Sequence, residues 1–239
     1  MNKPQPLRLR FSVSKLEQFR KFLDYTEDDH FEVTKESVID SIKGVFRKTP
    51  EMDFGTAYHS LIENKPGIVR QDEKGFHTLM EDGTFYFIPN HLASPGITYR
   101  QSHPGAVFEV PGQRSYEYSG YTATVTKRID VLEALITRDI KTTRRPPKYE
   151  DWMKSYQWRF YLLTVGGTEF RYDFFKLKEK TLKGVKYVDS VSYEEMRMQA
   201  YPGMDHDCIY LVRNFVEFCK LNNLMEFIID KKYADRELA

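Results

Sequence analysis

The stretch RID-VLEALITR-DIKTT, residues 128–143, is the part of this sequence that best indicates both fold and chemistry. It has the pattern of two strands joined by a tight turn near Ala134-Leu135. Such a turn brings Asp130, at the end of the first strand, across from Asp139 on the second. Because residues i and i+2 of a strand point to the same side, Asp139 and Lys141 share a face. The stretch therefore predicts two carboxylates and one ammonium group that converge at the edge of a small sheet.

Two carboxylates beside a lysine suit a metal-assisted hydrolysis. Carboxylate oxygens are ligands that Mg²⁺ and Mn²⁺ prefer. A lysine beside the cation can hold an attacking water and offset the negative charge that grows on a phosphate. A D-x-K triplet also occurs by chance in many chains of this length, where it forms an exposed ion pair on a strand. The triplet alone leaves both interpretations open.

Outside this stretch, the order of the predicted elements indicates an α/β fold, with a mixed central β-sheet flanked by helices. Apolar residues at helical spacing occur in some segments and short runs of strand-forming residues in others. The predicted helices cover residues 12–23, 34–47, 54–63, 149–165 and 205–229, and the predicted strands cover 115–118, 121–131, 135–142, 169–177 and 185–193.

The segment 64–112 differs in texture from the rest of the chain. It holds 6 of the 13 glycines and 5 of the 11 prolines, which favours turns and loops. Its one clear element is a hairpin at 76–88, where Asp82-Gly83 supplies the turn. We therefore predict a single domain over 1–239, with a loop-rich Gly/Pro insertion at about 64–112 and a polar C-terminal tail from about 231.

The composition excludes several classes of protein. With 36 Lys and Arg against 35 Asp and Glu, bulk charge cannot hold a nucleic acid, although a local basic strip is not excluded. Cys208 and Cys219 lie about three helical turns apart, which excludes a disulfide scaffold and a cysteine-ligated zinc or iron–sulfur site. The chain lacks an apolar run of about 18 residues and a signal-peptide core, so we expect a soluble protein without a membrane partner.

Five short motifs in a fixed order are more specific than any one of them. They are FSVSKLEQF at 11–19, FGTAYHSLIE at 54–63, RID at 128–130, DIKTT at 139–143 and QWRFY at 157–161. Together they resemble the RecB-like nuclease domain of the PD-(D/E)XK superfamily, with its serine-bearing first helix, G-T-x-x-H helix and Q-x-x-x-Y helix. The resemblance spans about residues 11–165 and implies a restriction-endonuclease-like PD-(D/E)XK core.

The resemblance implies a role for each matching residue of the site. His59 is implied as a metal ligand. Asp130 and Asp139 are implied as catalytic carboxylates that also bind the metal, with the backbone carbonyl of Ile140 beside them. Lys141 is implied as the catalytic lysine.

Further candidates lie around these residues. Glu63 follows the histidine by one helical turn and is either an additional metal ligand or an ordinary surface glutamate. The resemblance implies that Gln157 and Tyr161, four residues apart on one helix face, position either the DNA or the active-site strand. Glu109 and Glu117, upstream of the Asp130 strand, are weaker candidates.

Cations follow the active-site strand directly. The run from 141 to 148 carries four cations and no acid, and it leaves the strand where a scissile backbone would pass. Arg144 and Arg145 are therefore candidate phosphate contacts, and a solvated loop is the competing interpretation.

By resemblance to RecE-like and other phage or bacterial recombination exonucleases, the chain is expected to be a cytoplasmic, Mg²⁺- or Mn²⁺-dependent exonuclease of linear DNA. The alternatives are a structure- or sequence-specific endonuclease of the same fold and a non-catalytic DNA- or protein-binding module. Neither an iron–sulfur cluster nor a nucleotide cofactor is expected. Because the sequence contains no P-loop, a helicase or recombination partner would act in trans. The oligomeric state stays open.

Overall fold

Six strands form a mixed central β-sheet, and helices cover both of its faces, which confirms the predicted mixed α/β architecture. The computed structural model describes residues 6–26, 33–45, 49–182 and 185–231, and the predicted polar tail lies outside them from position 232 onward. The helices are α1 (Val13–Leu23), α2 (Lys35–Lys43), α3 (Pro50–Glu63), α4 (Asn90–Ser102), α5 (Tyr149–Lys154), α6 (Gln157–Val165) and α7 (Met204–Leu221), with a 3-10 turn at Met225–Phe227. The strands are β1 (Leu7–Ser12), β2 (Val69–Gln71), β3 (Gly75–Leu79), β4 (Phe85–Pro89), β5 (Val107–Tyr118), β6 (Tyr121–Glu133), β7 (Ile136–Thr143), β8 (Glu169–Leu182) and β9 (Val185–Gln199).

Strands β6 and β7 of the central sheet are paired near their turn and diverge beyond it, and we call this opening the fork. The order of the sheet is β1-β6-β7-β8-β9, and β5 pairs with the other edge of β6. β1 runs parallel to residues 121–126 of β6, and β7 runs antiparallel to residues 131–133 on the same edge. Residues 127–130 lie between these two ladders. The end of this gap is Asp130, where β6 and β7 separate.

Two hydrophobic cores enclose the sheet, one on each face. Helices α1, α6 and α7 pack on the first face, and α3 and α4 pack on the second. Successive side chains of a strand point to opposite faces of the sheet. In β8, Phe174 therefore belongs to the first core and its neighbour Phe175 to the second. A side chain from either face can therefore reach the fork.

The prediction of a loop-rich insertion at 64–112 is wrong. This segment forms the three-stranded antiparallel sheet β2-β3-β4, helix α4 and the first part of β5. Pro95 lies inside α4, and Gly96 lets α4 approach α3, since an added Cβ would lie 3.2 Å from the Tyr58 ring. Ile88 is fully buried in the second core. Gly96 thus serves close packing, and the segment supports α3.

Other differences from the prediction have local causes. The predicted helix 149–165 is divided into α5 and α6, because Ser155 adopts an extended conformation with ψ 137°. The predicted helix 205–229 ends at Leu221, shortly before Asn223 takes a left-handed φ of 55°. Strand β1 was not predicted.

The first helices also shift at their ends. Helix α2 stops before Gly44, whose left-handed φ of 76° ends the predicted helix 34–47 early; positions 46 and 47 lie outside the described residues. Helix α3 begins at Pro50, four residues before the predicted start, because proline is favoured at the first helical position. Within the described residues, no helix combines the length and apolar character needed to cross a membrane.

Candidate active site

The fork brings Asp130 opposite Asp139, as the sequence predicts. Val131 pairs with Arg138 in the antiparallel ladder, so the two aspartates occupy the next register position. The ladder stops there, and the Ile140 N–H donates instead to Asp130 Oδ2 at 2.9 Å. A side chain thus replaces a backbone hydrogen bond and holds two carboxyl groups at the opening of the fork.

Asp139 is almost fully buried and has a different partner at each oxygen. Gln157 Nε2, at the start of α6, donates to Asp139 Oδ1 at 2.7 Å. The Lys141 ammonium forms an ion pair with Asp139 Oδ2. One turn along α6, the Tyr161 hydroxyl accepts from Gln157 at 3.0 Å and donates to the Arg128 carbonyl at 2.9 Å. Helix α6 is therefore bonded to both strands of the fork.

Gln157 and Tyr161, the candidates for positioning either the DNA or the active-site strand, use their polar groups within the protein. Tyr161 is only 4% exposed, and its hydroxyl is engaged on both sides within the protein. Gln157 spends its amide N–H groups on Asp139 and Tyr161. Of the two roles that the sequence left open, positioning of the active-site strand fits these bonds.

Helix α3 brings His59 to the same opening from the second core. His59 Nδ1 lies 3.7 Å from Asp130 Oδ2. One turn earlier, Gly55 touches β7, since an added Cβ would lie 2.9 Å from Thr142 Oγ1. The G-T-x-x-H spacing therefore joins a close helix–strand contact to a histidine aimed at the fork.

Additional charged side chains border the fork. Glu63 is buried and pairs with Lys65 at 2.9 Å. Lys65 also lies 3.5 Å from Glu109, which pairs with Arg128 at 2.5 Å. Four carboxylates, including Asp130 and Asp139, thus face three cations around one opening. The sequence did not indicate Lys65, because an isolated surface cation carries no distinguishing pattern, and it gave Arg128 only as part of the RID motif.

Glu109, one of the weaker candidates from the sequence, lies at the fork. Its two neighbours pair with Val131 and Ile129, so it lies directly opposite Asp130 across β5 and β6. Its φ is 56°, a left-handed conformation that is uncommon for glutamate and that concentrates at functional sites. Nothing in the sequence separates Glu109 from Glu117, which is exposed at the far end of β5.

The first helix also contributes a residue that the sequence did not indicate. Ser12 caps α1 and accepts from the backbone N–H of Lys15. Glu17, one turn later, accepts the Tyr156 N–H at 2.9 Å and pairs with Arg20 at 2.7 Å. Its negative charge also helps to raise the pKa of Lys141. Helix α1 is thereby bonded to the segment that leads into α6.

Burial and crowding of the acids shift the protonation of the site. Burial, together with the neighbouring Asp130, raises the pKa of Asp139 to about 6. Burial also raises the pKa of Glu63 to about 7 and that of Asp130 above its usual range. Burial and the Lys141 cation lower the pKa of His59 to about 4, so the imidazole is neutral at pH 7 and has a lone pair to offer.

The donor chemistry of the fork fits a divalent cation. Both carboxyl oxygens of Glu63 and Oδ2 of Asp139 are buried without a hydrogen bond, although each group has a lysine nearby. An imidazole and several carboxylates match the ligands that Mn²⁺ and Mg²⁺ take. As the side chains stand, no three His, Cys, Asp or Glu residues of the described ranges are grouped so that they could hold a metal ion.

Arg144 and Arg145 follow β7 beyond the fork. Arg144 Nε pairs with Glu179 of β8 at 2.7 Å, and the Arg145 backbone is hydrogen-bonded to Thr143 at 3.2 Å. The two arginines line a cavity of about 280 Å³ with Thr142, Thr143 and Leu177. They lie directly after β7, as predicted, and Arg144 is engaged by an acid.

Comparison with known proteins adds little to this geometry. No family model matches the chain, and no curated protein matches it. A solved structure described as "Crystal structure of SSO0001" aligns over 91% of this chain and 78% of that chain, with a TM-score of 0.46 and 14% sequence identity. A similarity of this size supports no conclusion about function.

Proposed function

We propose that this chain is a Mg²⁺- or Mn²⁺-dependent deoxyribonuclease of the PD-(D/E)XK superfamily, with a RecB-like nuclease core, and that it acts as an exonuclease. One observation carries the proposal: Asp130, Asp139 and Lys141 converge at the fork, where His59 reaches them from a helix on the opposite face. A chance D-x-K triplet on an exposed strand would not bury its aspartate or recruit a histidine from another helix.

The residues of the fork divide into ligands and a catalytic lysine. Asp130, Asp139 and His59 would hold the cation, together with the Ile140 carbonyl and the buried Glu63. When bound, a divalent cation supplies Lewis-acid activation of water and of the phosphate. Because the acids have raised pKa values, binding would displace protons from them.

Lys141 would act on the reacting groups. Its ammonium stays charged, because the Asp139 and Asp130 carboxylates outweigh the effect of burial and raise its pKa. A charged Lys141 can orient the attacking water and stabilise the negative charge that develops on the phosphorus centre. The water oxygen forms a new bond to phosphorus while the bond to the 3′ oxygen breaks, which yields a 5′-phosphate and a 3′-hydroxyl.

The substrate and its surroundings are part of the same proposal. Linear DNA with free ends would run past the end of β7, where Arg144 and Arg145 would contact phosphates. We place the protein in the cytoplasm of a bacterium, either as a host or a phage product. A helicase or recombination partner would act in trans.

The test is digestion of end-labelled linear DNA and closed circular DNA with Mg²⁺, Mn²⁺ or EDTA. We expect linear DNA to be degraded from its ends, Mn²⁺ to support cleavage at least as well as Mg²⁺, and EDTA to abolish it. An imidazole ligand favours the softer Mn²⁺, which is the reason for the metal preference. The Asp139→Ala variant is the control for a contaminating nuclease.

Two other outcomes would replace the proposal. Cleavage of closed circular DNA would identify an endonuclease of the same fold. DNA binding without cleavage under any metal would identify a non-catalytic binding module.

A further inference from the structure

A second cavity lies away from the fork, between α5, α6 and the end of β9. Its volume is about 490 Å³, which falls within the usual range for small-ligand sites. Three aromatic and three cationic side chains contribute to its walls: Tyr149, Trp158, Tyr201, Lys154, Arg159 and Arg197. Trp158 is buried and belongs to the floor, whereas Tyr149 is 47% exposed at the rim.

The charged groups that line this cavity have one sign. No acidic side chain lines it, and among the described residues neither Lys154 nor Arg159 has a carboxylate within ion-pair distance. Arg197 pairs with Glu195 at 2.8 Å but is 62% exposed. The cavity therefore carries a net positive charge that an anionic ligand would neutralise.

Arg159 is held in place at the wall. It donates to three carbonyls at the end of α5, at 3.0 to 3.1 Å, and its guanidinium lies 4.3 Å from the Tyr156 ring and 4.9 Å from the Trp158 ring. Its Nε is buried without a hydrogen-bond partner. A preorganised cation beside aromatic rings favours a ligand that combines a flat ring with negative charge.

We propose that this cavity binds a nucleotide, with the base against the exposed ring of Tyr149 and the phosphate against Lys154, Arg159 and Arg197. Base–aromatic stacking tolerates any base, and cations supply the phosphate contacts, as in proteins that bind single strands. The ligand is either a free nucleotide or one nucleotide of a strand.

The cavity is connected to the proposed active site through α6. Gln157 points to Asp139, and successive helical residues are rotated by about 100°, so Trp158 and Arg159 face another side of the same helix. A strand that passes the fork could place a nucleotide here. The nucleotide site nevertheless stands on its own chemistry and does not require that the fork cleaves DNA.

The test measures binding in EDTA, where metal-dependent cleavage does not interfere. The full chain is titrated with dAMP, deoxyadenosine, inorganic phosphate, a short oligodeoxyadenylate and an acidic peptide, with calorimetry as the readout. In a Trp152→Phe background, Trp158 is the remaining tryptophan, and its fluorescence locates the ligand. We expect dAMP or the oligonucleotide to bind and change this emission, whereas deoxyadenosine and phosphate each bind more weakly.

Variants at the rim make the test specific. Tyr149→Ala and Lys154→Ala should each weaken binding about fivefold or more, because one removes a stacking surface and the other a phosphate contact. Tyr210→Ala and Lys220→Ala, exposed residues on α7, are the matched controls and should bind like the wild type.

The choice of ligands also shows whether the bound nucleotide is free or part of a strand. Binding of dAMP assigns the cavity to a free nucleotide, and binding of the oligonucleotide alone assigns it to a strand; both support the proposal. No change in Trp158 emission, equal binding of phosphate or the acidic peptide, or rim variants that bind like the wild type would each overturn it.

Discussion

Two buried aspartates on neighbouring strands show how differently this sheet uses the same side chain. Asp139 on β7 faces the fork, and Asp173 on β8 faces the second core; both are at most 1% exposed. Asp173 Oδ1 accepts from Tyr193 at 2.7 Å, and Oδ2 accepts from Tyr99 at 2.6 Å. Arg138 also donates to Asp173, at 3.3 Å. Both carboxyl oxygens of Asp173 therefore accept a hydrogen bond from within the protein.

The fork around Asp139 is less complete. Asp139 Oδ2 has only an ion pair with Lys141, which is 29% exposed and can move into solvent. Buried oxygens of Glu63 lack hydrogen bonds, and Glu109 takes a left-handed backbone. A buried polar atom without a hydrogen bond weakens a fold, and a catalytic role or a bound ion is one explanation for such an atom. The comparison separates an aspartate whose two oxygens both accept hydrogen bonds from one whose second oxygen has only an ion pair.

The largest expected effect is on stability, from the same substitution at both aspartates. Asp173→Asn replaces an acceptor that meets three donors by a group with one acceptor oxygen, and should lower the free energy of unfolding by about 3–5 kcal/mol. Asp139→Asn keeps an acceptor for Gln157 and lets Lys141 turn to solvent, so the change should stay within about 1 kcal/mol. Urea unfolding in EDTA measures both. Equal losses would show that the two aspartates play the same structural part.

The next effect tests the lysine beside Asp139. Lys141→Ala should lower the single-turnover cleavage rate by about 10²–10³, because it removes a charge that acts on the transition state. Metal and DNA binding should be largely retained, whereas Asp139→Ala should also weaken metal binding. Lys176→Ala is the control, since Lys176 is another strand lysine paired with an acid, Glu194, at 2.5 Å. If Lys141→Ala cleaves like the wild type, Lys141 is a structural cation and does not act on the transition state.

A smaller effect concerns the contact that seats His59. Gly55→Ala places a methyl group 2.9 Å from Thr142 Oγ1 and should shift α3, which lowers cleavage by roughly tenfold. Thr142→Ala removes the clash, so the double variant should recover most of the rate. Gly105→Ala is the control, because nothing lies within 4 Å of its added Cβ. If the double variant does not recover, the effect of Gly55→Ala does not arise from the contact between α3 and β7.

The sequence predicts the parts of this site that depend on local order. The turn near Ala134 determines that Asp130 meets Asp139, and both lie in one short hairpin. Strand alternation then places Lys141 with Asp139. The role of His59 was predicted only from the family resemblance, because its position depends on a contact between Gly55 and a strand that is distant in sequence.

The remaining features depend on tertiary packing. Pro95 and Gly96 indicate a loop when taken locally, yet α4 forms because it packs on α3. Glu109 reaches the fork through a backbone conformation that no residue pattern specifies. Glu17 could not be identified either, since its role depends on where α1 meets the start of α6. Strand β1 was in principle recognisable, because Leu7, Leu9 and Phe11 alternate with arginines.

The smallest expected effect concerns two tyrosines, one near Asp139 and one bonded to Asp173. Tyr161→Phe and Tyr193→Phe each remove one hydroxyl, and each should lower the free energy of unfolding by about 1 kcal/mol. Their effects on cleavage should differ. The Tyr161 hydroxyl bonds to Gln157 and to the Arg128 carbonyl, so its loss frees Gln157 to turn away from Asp139. Tyr193 bonds only to Asp173 among these groups, on the other face of the sheet.

We therefore expect Tyr161→Phe to slow single-turnover cleavage at saturating DNA several-fold, with no change in the DNA concentration that gives half the maximal rate. Tyr193→Phe should leave both values unchanged. The split between rate and affinity matters, because a residue that contacts DNA would alter the affinity, whereas one that positions Asp139 alters the rate. A loss of affinity in Tyr161→Phe would restore the nucleic-acid role, and a rate loss in Tyr193→Phe would mean that the two faces of the sheet are coupled.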